Sequence, residues 1–139
     1  MDVQVNMWAV LLAAVASMVV GSIWYAPPIF GNYWQKLAKP DAKRAKDEMA
    51  QTMIATFVLS LVTAYILAHV TYLSQAFYGY SYVKTGLTTA FWLWLGISTP
   101  AVLVHGMFEQ KRKKLLLLTT SHELLTLLTM GLVIGLLKY

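Results

Sequence analysis

The charged residues divide this chain into four long segments with almost no charge, and that division limits the folds it can adopt. Residues 3–35, 49–83 and 85–108 contain no Asp, Glu, Lys or Arg, and residues 115–137 contain only Glu123. Each segment exceeds the roughly 18–20 apolar residues that a helix needs to cross a hydrocarbon core of about 30 Å. Helices are predicted because a lipid-exposed strand would leave backbone groups unpaired, and the sequence shows no alternating barrel segments.

We therefore predict an all-α fold, a single transmembrane domain over residues 1–139 that forms a four-helix bundle with spans at about 6–26, 51–73, 84–108 and 115–137. The composition excludes a soluble or disordered chain, because 58% of the residues are hydrophobic and 12% are charged, against about 25% charged in an ordinary soluble domain. No Lys or Arg precedes the long first apolar segment, which predicts a retained helix rather than a signal peptide. The chain has no cysteine, which excludes disulfide scaffolds, thiol chemistry and cysteine-bound zinc.

Lys and Arg cluster in two of the connections between spans, and this asymmetry predicts the orientation of the chain. The first and third loops hold nine of these cations, namely Lys36, Lys39, Lys43, Arg44, Lys46, Lys111, Arg112, Lys113 and Lys114. The opposite ends hold only Lys84 and Lys138. Because cytoplasmic loops are rich in Lys and Arg, the first and third loops are predicted to be cytoplasmic and both termini outside, in a bacterial or archaeal inner membrane.

The net charge of +5 is thereby explained as a topology signal, and no nucleic-acid partner is predicted. The predicted partner is the lipid bilayer. Residues 111–114 are interpreted as a topological anchor, with an anionic lipid headgroup bound there as the less favoured alternative.

An uncharged aromatic segment follows the first span and reads Trp-Tyr-Ala-Pro-Pro-Ile-Phe-Gly-Asn-Tyr-Trp over residues 24–34. Pro27 and Pro28 end the helix, because proline lacks an N–H and restricts the residue before it. The segment is too irregular for the bilayer centre and too apolar for open cytoplasm, so we predict an interfacial elbow. Asp41 is expected to cap a short basic helix after it, with ion pairs Lys43–Asp47 and Arg44–Glu48.

The elbow carries a pattern, Trp24-Tyr25-x-Pro27-x-x-Phe30-Gly31-x-x-Trp34. This pattern resembles the family catalogued as domain of unknown function seventeen-sixty-one, whose members are small four-helix membrane proteins, mostly from bacteria and archaea. The resemblance covers the whole chain and includes a His in the last span, matched here by His122. The chain departs from many relatives at residues 111–114, where the relatives have an aromatic or Arg-Pro pair. The resemblance implies a fold and carries no assigned activity.

Ionisable residues inside a membrane span are costly and are therefore candidates for function. On the fourth span, Thr119, His122, Glu123, Thr126 and Met130 fall within an arc of about 100°. This polar stripe is predicted to face the protein interior or a wet cavity, with Glu123 near the bilayer midplane. Structural hydrogen bonding between helices and a binding or proton-relay role are left as equal alternatives for the stripe.

The third span carries a second set of polar groups. His105, Ser98 and Trp94 share a helical face, and Pro100 is expected to kink this span. Because a short turn joins the third and fourth spans, contact of His105 with His122 or Glu123 is geometrically possible.

His69 lies near the outer end of the second span and is predicted to pair with Tyr65 or with water. No cofactor is predicted. Haem or metal bound through His105 and His122 is a minority alternative, because adjacent His and Glu diverge by about 100° on a helix and no His-Glu-x-x-His spacing occurs.

Small residues recur at spacings that allow close helix packing. They are Ala9, Ala13, Ser17 and Gly21 on the first span and Gly131 and Gly135 on the fourth, and they build either the bundle or a homodimer.

The leading hypothesis is a small transporter or a membrane protein that binds a small molecule or a proton. Glu123 and His122 are the main site candidates, supported by His105, Ser98, Thr119 and Thr126. Four helices leave little room for an enclosed path, so transport would most simply use a homodimer. The alternative is an accessory or scaffold subunit without catalysis. An intramembrane lipid-modifying enzyme is the least favoured class, because the spans lack a second midplane acid or base and the chain lacks the common catalytic motifs.

The predicted orientation can be tested with a topology reporter fused at Tyr139. We expect activity only from a reporter that works outside the cytoplasm, because the Lys and Arg distribution places the C-terminus outside. A reporter fused at Lys111 serves as the opposite control. A cytoplasmic signal from the Tyr139 fusion would overturn the orientation.

Overall fold

The computed structural model describes residues 3–138, which leaves Met1, Asp2 and Tyr139 outside the described residues. Within that range the chain forms helices and no strand, so the predicted all-α fold class is confirmed. Seven α-helices follow one another: α1 (Met7–Trp24), α2 (Asn32–Ala38), α3 (Ala42–Asp47), α4 (Met49–Tyr78), α5 (Tyr82–Leu93), α6 (Thr99–Phe108) and α7 (Lys113–Leu136). Two π-helical turns, Pro27–Gly31 and Trp94–Ser98, lie between α1 and α2 and between α5 and α6.

Four helical segments have the length and apolar character of membrane spans. They are Met7–Trp24, Met49–Tyr78, Tyr82–Phe108 and Lys113–Leu136. The second differs most from the predicted bounds, because the helix continues through the aromatic residues after position 73. It ends where Gly79 adopts a left-handed conformation (φ 67°), a backbone state that glycine adopts without steric cost.

The third span is interrupted, as Pro100 predicts. Proline lacks an N–H to pair within the helix, and the π-helical turn Trp94–Ser98 comes immediately before the turn that holds it. Trp94 fixes this turn to α7, since its indole Nε1 donates to the Thr120 carbonyl oxygen at 2.8 Å. The third span therefore contacts α7 through both side chains and backbone.

The predicted helix after the elbow is also present, as α3. The Asp41 side chain accepts from the backbone N–H groups of Lys43 and Arg44, and Arg44 Nε lies 3.1 Å from Glu48 Oε1. Both contacts are exposed. The ion pair therefore contributes little to stability, whereas the Asp41 cap contributes on the order of 1 kcal/mol.

The apolar core lies at the end of the bundle away from the basic loops. It joins the first half of α1, the second half of α4, the middle of the third span and the second half of α7, through Val10, Ala13, Ala64, Leu67, Ala68, Ala90, Leu127, Met130 and Ile134. The first half of α4 takes no part in it, and residues 49–56 are all exposed. Helix α4 is thus packed against the bundle along its second half and separated from it along its first half, and we call the latter side the open end of the bundle.

Small residues allow this packing within a single chain. Ala9, Ala13 and Ser17 are buried along α1, and Gly131 of α7 meets the backbone of Gly86 on α5. A Cβ built at either glycine would overlap the carbonyl oxygen of the other. The small-residue surfaces of α1 and α7 therefore serve the bundle itself.

We predict that Gly131→Ala lowers the free energy of unfolding by about 1–3 kcal/mol, because the added methyl group forces the α5 and α7 backbones apart. Gly96→Ala is the matched control, since a Cβ at Gly96 meets no atom within 4 Å, and we expect a change within about 0.5 kcal/mol. Unfolding in detergent, followed by circular dichroism, measures both. Equal stability of the two variants would contradict the close approach of the two helices.

Candidate functional site

A cavity of about 530 Å³ lies between α1, α4 and α7, and we call it the α1/α4/α7 cavity. Its wall comprises Ser17, Met18, Gly21, Ser22, Tyr25, Met53, Thr56, Leu59, Ser60, Thr63, His122, Glu123, Thr126, Leu127 and Met130. Four of the five residues of the polar stripe predicted on the last span are among them. The exception is Thr119, which lies elsewhere.

The cavity exists because α1 and α4 converge at the packed end of the bundle and separate at the other. Val10 and Ala13 of α1 belong to the same core cluster as Ala64 and Leu67 of α4. Beyond this core, the last two turns of α1 face the exposed first half of α4 across the cavity. The cavity is therefore partly open rather than enclosed on all sides, and its wall residues Met53 and Thr56 on α4 are exposed.

His122 and Glu123 lie side by side on the α7 wall. His122 Nδ1 is 3.8 Å from Glu123 Oε1, and its Nε2 is 3.4 Å from Thr126 Oγ1. The His122 side chain is 15% exposed and that of Glu123 is 37% exposed. Among the described residues, Glu123 forms no ion pair with Lys or Arg, so its charge has no cationic partner within the protein apart from a protonated His122.

The aromatic elbow packs directly against His122. The imidazole ring centroid lies 5.0 Å from that of Tyr25 and 6.0 Å from that of Trp24. These two rings are held in turn by the rest of the motif, with Trp24 4.4 Å from Phe30 and Tyr25 5.7 Å from Trp34. We call Trp24, Tyr25, Phe30 and Trp34 the elbow cluster, and it contacts His122 through Trp24 and Tyr25.

Gly31 makes the tight turn of the elbow possible. Its N–H donates to the Ala26 carbonyl oxygen at 3.0 Å, which closes the π-helical turn. The residue is buried, and a Cβ at this position would overlap the backbone of Tyr25 and Ala26. Only glycine fits there without displacing the segment that carries Tyr25.

The elbow and His122 are separate features of the sequence, and the structure brings them together. The depth of His122 in the membrane was the signal that could have predicted this contact. His122 is eight residues, or about 12 Å of helix, from Lys114, so it lies within reach of an elbow at the same membrane surface. The hydroxyl face of α4 was also missed, although Thr56, Ser60 and Thr63 recur at helical spacing.

His105 and Thr119 line a second, more open cavity of about 810 Å³ between α2, α6 and α7. His105 Nδ1 pairs with the Ala101 carbonyl oxygen of its own helix at 2.8 Å. The structure thus does not join His105 to His122 or Glu123 across the two helices, and Ser98 lines neither cavity.

The rim of the second cavity carries the basic loop. Lys111 Nζ lies 2.6 Å from Glu109 Oε2, and this hydrogen bond and charge lower the pKa of the Glu109 carboxyl below its usual value. Both side chains are half exposed or more, so the pair is screened by water.

His69 is placed as its sequence position suggests, with its ring 4.9 Å from that of Tyr65. Its Nδ1 is buried and has no hydrogen-bond partner, so the pairing with Tyr65 is a ring contact. Over residues 3–138, no three His, Asp or Glu side chains come together as metal ligands.

The fold and the cavity define an all-α protein with four candidate membrane spans and an interfacial elbow that closes on the last span. The model of the family described as a protein of unknown function (DUF1761) matches residues 8–135. The chain belongs to this family, which confirms the resemblance of its elbow motif. No curated protein and no solved structure matches the chain.

We predict that Gly31→Ala displaces the elbow cluster from His122. The chain has three histidines, so isotope-labelled imidazole signals can be assigned one by one by nuclear magnetic resonance. The His122 signal should shift as it loses the ring currents of Trp24 and Tyr25, while those of His69 and His105 should stay. Gly96→Ala should move none of them. An unchanged His122 signal in Gly31→Ala would show that the elbow does not depend on this glycine.

Proposed function

We propose that this chain is a polytopic membrane protein that binds a proton and a small solute in the α1/α4/α7 cavity, and that it works as a small transporter. One observation carries the proposal. Glu123, the only acidic residue in the four spans, faces a cavity, has no Lys or Arg partner among the described residues and lies beside His122.

The cost of an ionisable group in a span supports a functional role over a structural one. Placing a carboxylate near mid-bilayer costs about 2.5–3.5 kcal/mol on insertion scales. A role in helix packing would offset this cost with hydrogen bonds from a neighbouring helix. Among the described residues Glu123 accepts no such bond, and its side chain lines the cavity and is 37% exposed. A group that keeps access to a cavity can gain and lose a proton or bind a solute.

His122 has a different part in the proposal. Trp24 and Tyr25 contact the His122 ring, and the two ring nitrogen atoms lie 3.8 Å from Glu123 Oε1 and 3.4 Å from Thr126 Oγ1. The first distance is too long for a direct hydrogen bond, so a proton would pass between the imidazole and the carboxylate through one water molecule. Thr126 orients the ring, and the hydroxyl groups of α1 and α4 supply further polar contacts for a solute. Ser98, His105 and Thr119 lie outside the cavity, so the proposal gives them no role.

The positive-inside rule extends the proposal to orientation. It places the basic loops, and hence the open end of the bundle, at the cytoplasmic face of a bacterial or archaeal inner membrane. The solute would then reach Glu123 from the inner half of the bilayer.

A rapid pH change applied to the reconstituted protein on a solid-supported membrane tests the proposal without a known solute. Proton binding to Glu123 should give a transient current in the wild type, and Glu123→Gln should abolish it because the amide cannot bind the proton. Asp47→Asn, which makes the same change on the exposed helix α3, should leave the current intact.

The same experiment separates the proposal from the scaffold alternative. If Glu123→Gln keeps the current and only lowers the unfolding temperature, Glu123 is structural and the transporter proposal is wrong. Loss of the current with an unchanged unfolding temperature supports the proposal.

A further inference from the structure

We propose that the solute of the α1/α4/α7 cavity is an amphiphilic organic monocation that competes with the proton for Glu123. This inference rests on the proposed function and names the substrate class of the same site. Charge, hydrogen-bonding pattern and wall chemistry each support it.

The cavity wall offers a carboxylate and, among the described residues, no Lys or Arg. Glu123 is the one carboxylate there. A carboxylate that is partly removed from water, with no cation from the protein beside it, favours a ligand that brings one. An anionic solute would meet Glu123 without a compensating positive charge.

The hydroxyl groups of the wall also favour a positively charged ligand. Ser17, Ser22, Thr56 and Thr63 each donate their hydroxyl hydrogen to a carbonyl oxygen of their own helix, at 2.7–3.0 Å. Once that hydrogen is used, the oxygen atom can only accept a hydrogen bond from a ligand. Much of the polar surface of α1 and α4 is therefore an acceptor surface, suited to a cation or an N–H donor.

The apolar part of the wall fits the organic part of such a ligand. Three flexible methionine side chains, Met18, Met53 and Met130, can adapt to an irregular hydrocarbon shape. Tyr25 adds an aromatic ring that can contact a cation. A volume of about 530 Å³ is in the range of small-molecule sites. A small hydrated metal ion would find one carboxylate in this mostly apolar wall and lose most of its hydration shell.

The open side of the cavity gives such a molecule access. Residues 49–56 of α4 are all exposed, so the gap beside them faces the hydrocarbon or its interface. An amphiphilic cation gathers in that region of a bilayer and can reach Glu123 without crossing the packed core.

Competition with the proton follows from the single carboxylate. The titratable groups that face Glu123 are His122 on α7 and Tyr25 at the end of α1. Helix α4 presents only Met53, Thr56, Leu59, Ser60 and Thr63, none of which titrates near neutral pH. One bound cation therefore replaces one proton on Glu123, and the charge of the site is conserved.

Tetraphenylphosphonium and tetraphenylborate are matched probes, because they share one shape and carry opposite charges. Equilibrium dialysis against the purified protein in micelles, with empty micelles as the blank, should show saturable binding of the phosphonium only. Glu123→Gln should weaken this binding by about tenfold or more, since it removes the partner charge. Asp47→Asn should bind like the wild type.

Two further variants keep the test informative if Glu123→Gln does not fold. Glu123→Asp retains a carboxylate and should keep most of the binding. Gly21→Leu should block it, because a Cβ at Gly21 lies 3.7 Å from His122 Nε2 and the longer side chain extends into the cavity.

The pH dependence identifies the group that competes. Acidification should weaken phosphonium binding to the wild type, because the protonated carboxyl group has no charge to offer. Protonation of His122 acts in the same direction, so His122→Gln should keep the pH dependence if Glu123 is the competing group.

Equal binding of the two probes would overturn the cation proposal. Equally tight phosphonium binding by the wild type and Glu123→Gln would overturn it as well. A pH-jump current without phosphonium binding would refute the cation class and leave the proposed function standing. If the folded wild type shows neither a pH-jump current nor phosphonium binding, the site itself is refuted.

Discussion

The backbone contact between Gly86 and Gly131 is the constraint on which the rest of this structure depends. In a bilayer, burying apolar side chains against each other yields little, because the lipid tails are equally apolar. Helices associate instead where small residues let their backbones come close, and here such residues are concentrated at one end of the bundle. The other end is free to separate. The α1/α4/α7 cavity lies beyond the small residues Ala13 and Ala64, where α1 and α4 are no longer in contact.

The elbow gives this open end its chemistry. Trp24 and Tyr25 continue directly from α1, and the Pro27–Gly31 turn folds Phe30 and Trp34 back against them. The result is an aromatic wall on His122, a residue almost a hundred positions later in the chain. The elbow motif and the polar stripe of the last span thus form one structural unit, although they are far apart in the sequence.

Much of the fold could be predicted from the sequence, because charge-free length and proline positions act locally. The four spans, the interruption before Pro100 and the cap at Asp41 all follow from such local rules. The division of the predicted site residues between two cavities does not follow from such local rules. Whether His105 shares a cavity with Glu123 depends on the rotation of α6 after the π-helical turn. Thr119 lies one helical turn closer to the basic loop than Glu123 does, and it lines the second cavity together with His105. The pairing of the elbow with His122 is a tertiary contact that no spacing encodes. The orientation in the membrane stays a prediction from the distribution of Lys and Arg.

The unequal lengths of α1 and α4 have a consequence for how the two helices fit a bilayer. With 18 and 30 residues, these helices are about 27 Å and 45 Å long. Only the shorter one matches a hydrocarbon core of about 30 Å, so in a bilayer α4 must tilt or extend into the headgroup region. Because the packed core holds only the second half of α4, the adjustment to a bilayer of a given thickness falls on the half that lines the cavity.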